Sequence, residues 1–226
     1  MVRDWRASDY AVFTEAFDSV WGYEISNDPE NPSRRITAEV YVAGALMRSD
    51  FIKVAETEDG KPGVLLCAAF SALPLPPASL TAQAQAWACV IQTGEEALSK
   101  TREGRAELVF DERLNATNDR FKTRLEERGL AAQAELVFLI AHPERRGQGL
   151  DNPGIVHRQI LASEALAAFD EECVRRRVKR AVLFTDNHCE RRPYLKKGWV
   201  QEETKVWPES EYGPNFVSYA FVKRYG

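Results

Sequence analysis

The chain has 226 residues, 44% hydrophobic and 28% charged, which suits one globular core. A formal net charge of −4 excludes a broad basic footprint, so no nucleic-acid partner is expected. No apolar run approaches the ~20 residues that a bilayer span needs, and Arg3, Asp4 and Arg6 stand where a signal peptide needs an apolar core, so no membrane partner and a cytoplasmic location are expected.

In chain order, Ser8-Asp9 caps a first helix running to about Val20, with Val12, Phe13, Ala16, Phe17 and Val20 as its apolar stripe. Asn27–Ser33 reads as a loop and Arg34–Met47 as a second helix. Phe51–Thr57 and Val64–Leu73 make a hairpin around the turn at 58–63. Pro74-Leu75-Pro76-Pro77 stops the strand and opens a segment, to Ala134, with helical spacing over Ala78–Lys100 and Arg102–Arg128. Glu135–Ala141 is a strand ended by His142-Pro143, and an amphipathic helix spans about Pro153–Arg177. A strand at Arg180–Thr185, a short helix at Glu190–Lys197 and strands at Val200–Trp207 and Phe216–Arg224 complete the chain. The order describes an α/β (α+β) sheet domain over 1–226 with a helical insertion at about 74–134. The insertion has two expected roles: covering the acceptor side of a cleft, or packing against a second copy of the chain in a homodimer. Cys67, Cys89, Cys173 and Cys189 are scattered without CxxC spacing, as expected of reduced thiols.

Between strand and helix lies Arg145-Arg146-Gly147-Gln148-Gly149-Leu150. Glycines let backbone N–H groups converge on a ligand, the following helix adds its positive end, and arginine adds a charged fork. A pyrophosphate suits that arrangement; a plain tight turn is the competing reading. No Gly-Lys-Ser/Thr follows, which argues against a nucleotide triphosphate loop. A second constellation, Asn187, Tyr194, Gly198 and Trp199, follows the next strand.

With both constellations in this order, the chain resembles the GNAT superfamily of N-acetyltransferases, of the bacterial type with unassigned substrate. Arg146, Gly147, Gln148, Gly149 and Leu150 fill the first five places of the family's acetyl-CoA motif. Asn187, with Tyr194 seven residues on and an aromatic after Gly198, matches its second signature. The resemblance covers Glu135 to about Val206, while 1–73 match only in element order. Asp151 departs from the pattern, standing where the family has Gly or Ala, and Asn152-Pro153-Gly154 implies a helix that starts late.

The resemblance implies a mixed, largely antiparallel central sheet flanked by helices. It implies acetyl-CoA as co-substrate and no metal, with an amine of a small molecule or peptide as acceptor. Leu139, Ile140 and Ala141 would hold the pantetheine arm and polarise the thioester carbonyl, while Arg146–Leu150 and Asn187 complete the cofactor set. Tyr194 stands at the family's general-acid position, and its competing reading is a packed tyrosine. Glu135 resembles the base of the histone acetyltransferase branch; strand alternation puts it on one face with Val137, Leu139 and Ala141, and its competing reading is an exposed glutamate. The alternative function is a GNAT-fold CoA-binding or regulatory module with little catalysis. His188-Cys189 lacks a third orienting residue, and the histidines and cysteines lack metal-ligand spacing.

Overall fold

The computed structural model describes residues 1–70, 82–143, 153–209 and 215–226, the side chains of 82–83 and 153–160 aside. Its elements are β1 (Val2–Asp4), α1 (Asp9–Ile25), α2 (Pro32–Met47), β2 (Phe51–Glu56), β3 (Pro62–Ala69), α3 (Ala82–Leu98) and α4 (Arg102–Glu127), followed by β4 (Ala134–Ala141), α5 (Pro153–Arg175), β5 (Arg180–Asp186), α6 (Arg192–Lys196), β6 (Val200–Val206) and β7 (Val217–Arg224). The strands form one sheet in the order β1-β2-β3-β4-β5-β7-β6. Every neighbouring pair is antiparallel except β4 with β5. This is the mixed, largely antiparallel sheet that the family resemblance implied.

Several boundaries differ from the sequence expectation. β1 is too short and charged to show periodicity; it adds to β2 with Val2 opposite Ala55. Ser8 makes no side-chain cap bond, and α1 continues to Ile25. The carboxylate of buried Asp9 instead accepts from the Arg6 backbone N–H at 2.8 Å and from the Arg3 guanidinium at 2.7 and 2.8 Å. α2 starts at Pro32, inside the segment expected as loop. Asn31 caps it by accepting from the Ser33 N–H at 2.9 Å, and Pro suits the first helical turn.

Two apolar layers sandwich the sheet. On one face α5 presents Leu161, Leu166 and Phe169 to Val64, Leu66, Leu136 and Leu183. On the other, α1 and α2 present Phe13, Phe17, Val42 and Leu46 to Val54, Leu65 and Ile140. α4 extends that second layer over β5 and β7, where Phe121 and Leu125 pack on Val182 and Val222. Each fully buried Phe or Leu removes enough apolar surface from water to contribute about 1.5–3 kcal/mol. The insertion is thereby part of the core: α3 lies on α2, and α4 lies across the end of the sheet that carries β5.

The sheet is open at its centre. β4 and β5 pair only over Ala134–Leu136 and Ala181–Leu183. Beyond Leu136 β4 stays with β3, and a bulge between Cys67 and Ala68 sets Phe138 and Leu136 against consecutive β3 residues. The extra residue, Val137, breaks the two-residue period of the strand.

Candidate active site

The bulge decides what β4 offers on each face. Leu136, Leu139 and Ala141 pack toward α5, whereas Val137, Phe138 and Ile140 pack toward α1 and α2. Glu135, paired with Lys122 of α4, lies on the α4 side. The expected shared face of Glu135, Val137, Leu139 and Ala141 is therefore corrected: Glu135 and Val137 share one face, and Leu139 and Ala141 the opposite one.

The same register fixes the backbone. His142 N–H donates to Gly63 O of β3 at 2.9 Å. Peptide groups alternate along an antiparallel edge, so Ile140 turns its N–H and C=O to Leu65 of β3, and Leu139 and Ala141 turn theirs into the gap left by β5. Of the three residues expected to meet a pantetheine arm, two present backbone groups there. Ile140 spans the β3 ladder and fills the core with its side chain.

A cavity of about 490 Å³ occupies this gap and continues through the sheet. On the α5 face it is lined by Val64, Leu139, Ala162, Leu183 and Tyr194. On the other face α1 supplies Phe17, Trp21 and Glu24, α2 and its C-cap supply Tyr41 and Arg48, and α4 supplies Glu107, Phe110, Asp111, Leu114 and Asn115. The α4 residues recur at three- and four-residue spacing, so one face of that helix forms a wall. Glu135, Asp186 and Glu190 bring its acidic lining to six carboxylates.

Tyr194 is partly buried, with its ring edge-on to Trp199 at 6.4 Å. Among the described residues its hydroxyl has no hydrogen-bond partner. Burial first, then the charges of Cys189 and Asp186, push the phenol well above its ordinary pKa, so at neutral pH it carries its proton. Burial, then Asp186, likewise pushes the Cys189 thiol up to about 12, which leaves it a thiol rather than a nucleophile. His188 Nδ1 lies 3.0 Å from Glu24 of α1, directed away from any pairing with Cys189.

Asn187 directly follows β5, with its amide in use. Nδ2 donates to Asn215 O at 2.9 Å, and Oδ1 accepts from Val217 N–H at 2.8 Å. Asn215 sits in the left-handed region at φ 68°, which asparagine tolerates. Asn187 thus ties the end of β5 to the start of β7. Glu135 lies 3.1 Å from Lys122 and lines the cavity near the paired end of β4. Arg146, Gly147, Gln148, Gly149 and Leu150, with Asp151 and the late helix start expected at Asn152, lie outside the described residues.

Sequence reading missed the Tyr41, Glu107 and Asp111 group. Burial first, with Tyr41 opposing and Asp111 and Glu24 reinforcing, raises the Glu107 carboxyl to about 7. Asp111 is raised as well, again chiefly by burial. The available signal was two acids at i, i+4 within the apolar stripe of Phe110 and Leu114, on a helix whose packing partner was unknown. Among the described residues no three His, Cys, Asp or Glu side chains converge as a metal site, and no helix is long and apolar enough to cross a membrane.

This open sheet, with its central parallel pair splayed around a through-cavity, has the GNAT fold, as superposition on solved structures shows. Arylalkylamine N-acetyltransferase 2 from Aedes aegypti superposes at a TM-score of 0.57 and 11% identity, over 99% of this chain and 98% of that one. A Drosophila melanogaster polyamine N-acetyltransferase that forms N-acetylagmatine gives 0.52 at 10% identity, over 100% and 99%. An agmatine N-acetyltransferase gives 0.50 at 10%, over 100% and 99%. No protein-family model matches the sequence, and no curated protein matches it at a significant level.

Proposed function

We propose that the chain is an acetyl-CoA-dependent N-acetyltransferase that passes an acetyl group directly to an amine. One observation carries the reading: a single cavity joins the Tyr194 side of the sheet to an acidic, aromatic chamber through the gap between β4 and β5. The gap fits the co-substrate, because Leu139 and Ala141 offer it backbone donors and acceptors that no β5 strand uses. The motif residues Arg146–Leu150 would take the pyrophosphate. Fold relatives named for arylalkylamine and agmatine acetylation support an amine acceptor, and the acidic chamber suits an ammonium ion.

The step follows from these positions. The amine lone pair forms a C–N bond to the thioester carbon, and backbone N–H at the gap stabilises the developing oxyanion. The C–S bond then breaks and the CoA thiolate takes a proton or a hydrogen bond from Tyr194, whose phenol is held protonated. Glu135, 3.1 Å from Lys122, receives the proton lost by the amine. Holding the two reactants in one cavity supplies much of the rate. Four free thiols suit a reducing compartment such as the cytoplasm.

Thermal unfolding with and without acetyl-CoA tests the reading. Acetyl-CoA raises Tm through linkage and free adenosine does little. No shift at millimolar acetyl-CoA contradicts the assignment and leaves a GNAT-fold module that has lost the cofactor.

A further inference from the structure

On the amine side the cavity ends in polar groups that acetyl transfer itself does not use. Glu107 and Asp111 stand one turn apart on α4, both lining the cavity. Like charges at that spacing repel, and partial burial sharpens the repulsion. The hydroxyl of Tyr41, from α2, is buried, close to both carboxylates and in hydrogen-bonding geometry with neither. Asp111 accepts one bond, from Asn115 Nδ2 at 2.9 Å. The other charges facing the group are Glu24 of α1 and exposed Arg48 at the end of α2. Glu24 is met by His188 at 3.0 Å, so Glu107, Asp111 and the phenol are left with one rim arginine. Glu107 and Asp111 are half-buried, and both line the cavity.

The group is also set back from the gap. Tyr41 stacks on Phe17 at 5.0 Å, and Phe17 on Phe138 of β4 at 6.4 Å. One aromatic layer therefore separates the carboxylates from the strand that would hold the thioester. An acceptor reaching both places needs two polar ends joined by an apolar chain.

We propose that Tyr41, Glu107 and Asp111 form a second recognition point that binds a distal ammonium or guanidinium group of the acceptor. The acceptor is then a small diamine or amino-guanidine, one end reacting at the gap and the other held on α4. Its N–H groups donate to the two carboxylates, and the flanking rings cover the linker. The identity of the reacting end rests on the acetyltransferase reading, whereas binding of the distal cation does not.

Calorimetry on the full chain separates the two. A series of linear α,ω-diamines is titrated against alkylamines of the same length. The best-fitting diamine is expected to bind about tenfold tighter or more than its matched alkylamine, as a charge-assisted pair in a water-poor site allows. Glu107→Gln and Asp111→Asn each erase most of that ratio, and Tyr41→Phe, which keeps the ring and its packing, lowers it in the same direction. Unfolding curves confirm which variants are folded. Diamines that bind no tighter than their alkylamines overturn the proposal, as does a ratio unchanged in the folded variants. Diamine preference without any acetyl transfer supports the subsite and sinks the transferase reading instead.

Discussion

Tyr194 and Tyr41 line one cavity from opposite faces of the sheet, Tyr194 against the α5 layer and Tyr41 against the α1–α2 layer. A solid sheet would keep them apart. They share a space because β5 leaves β4 after Leu183, so the cavity reaches Leu139 from both faces of the sheet.

Tyr194→Phe removes only the hydroxyl and keeps the edge contact with Trp199. It is expected to lower kcat by ~100-fold or more, as for a lost general acid, with acetyl-CoA affinity nearly unchanged. Steady-state kinetics and a binding titration check both halves. Full kcat would make Tyr194 a packing residue.

Glu107→Gln changes the pH dependence of stability. The folded-state carboxyl titrates near 7, above its ordinary value of 4.5. The folded chain therefore holds the proton more tightly than the unfolded chain, so this group's contribution is full below about 4.5 and is lost as pH rises to about 7. Urea unfolding should show wild type losing at most about 3 kcal/mol relative to Glu107→Gln across that window. Parallel pH profiles would mean that Glu107 is well solvated.

Asn187→Ala separates two roles for one residue. If its amide ties β5 to β7, as its bonds to Asn215 and Val217 indicate, stability falls by about 1 kcal/mol. Acetyl-CoA affinity then changes little. Unchanged stability with weakened cofactor binding would assign Asn187 to the co-substrate.

Asp151→Gly concerns the motif's departure. A carboxylate beside a pyrophosphate repels it, so the variant should bind CoA more tightly, by about 1 kcal/mol or less if solvent screens the pair. Equal or weaker affinity would show that the carboxylate faces away.

Much of the architecture was legible because long elements announce their period. The stripe of α5 and the apolar run of β4 are examples, each deciding its own burial. What stayed hidden is non-local. β1 has three residues and gains its place only from β2. The Val137 bulge is a mismatch between two strands, invisible in either alone, and it moved Leu139 and Ala141 off the face of Glu135. Tyr194 was legible as part of a spaced motif. Tyr41, Glu107 and Asp111 belong to no motif; they become a group only when α4 of the insertion folds back beside α2.

The most direct test of the acetyltransferase account is product formation itself. Protein, acetyl-CoA and a linear diamine are incubated at neutral pH, with free CoA followed by thiol release and the amine by mass spectrometry. The account predicts free CoA and mono-N-acetylated diamine in equal amounts, both lost together in Tyr194→Phe. Bound acetyl-CoA with neither product, across diamines and monoamines alike, would contradict it.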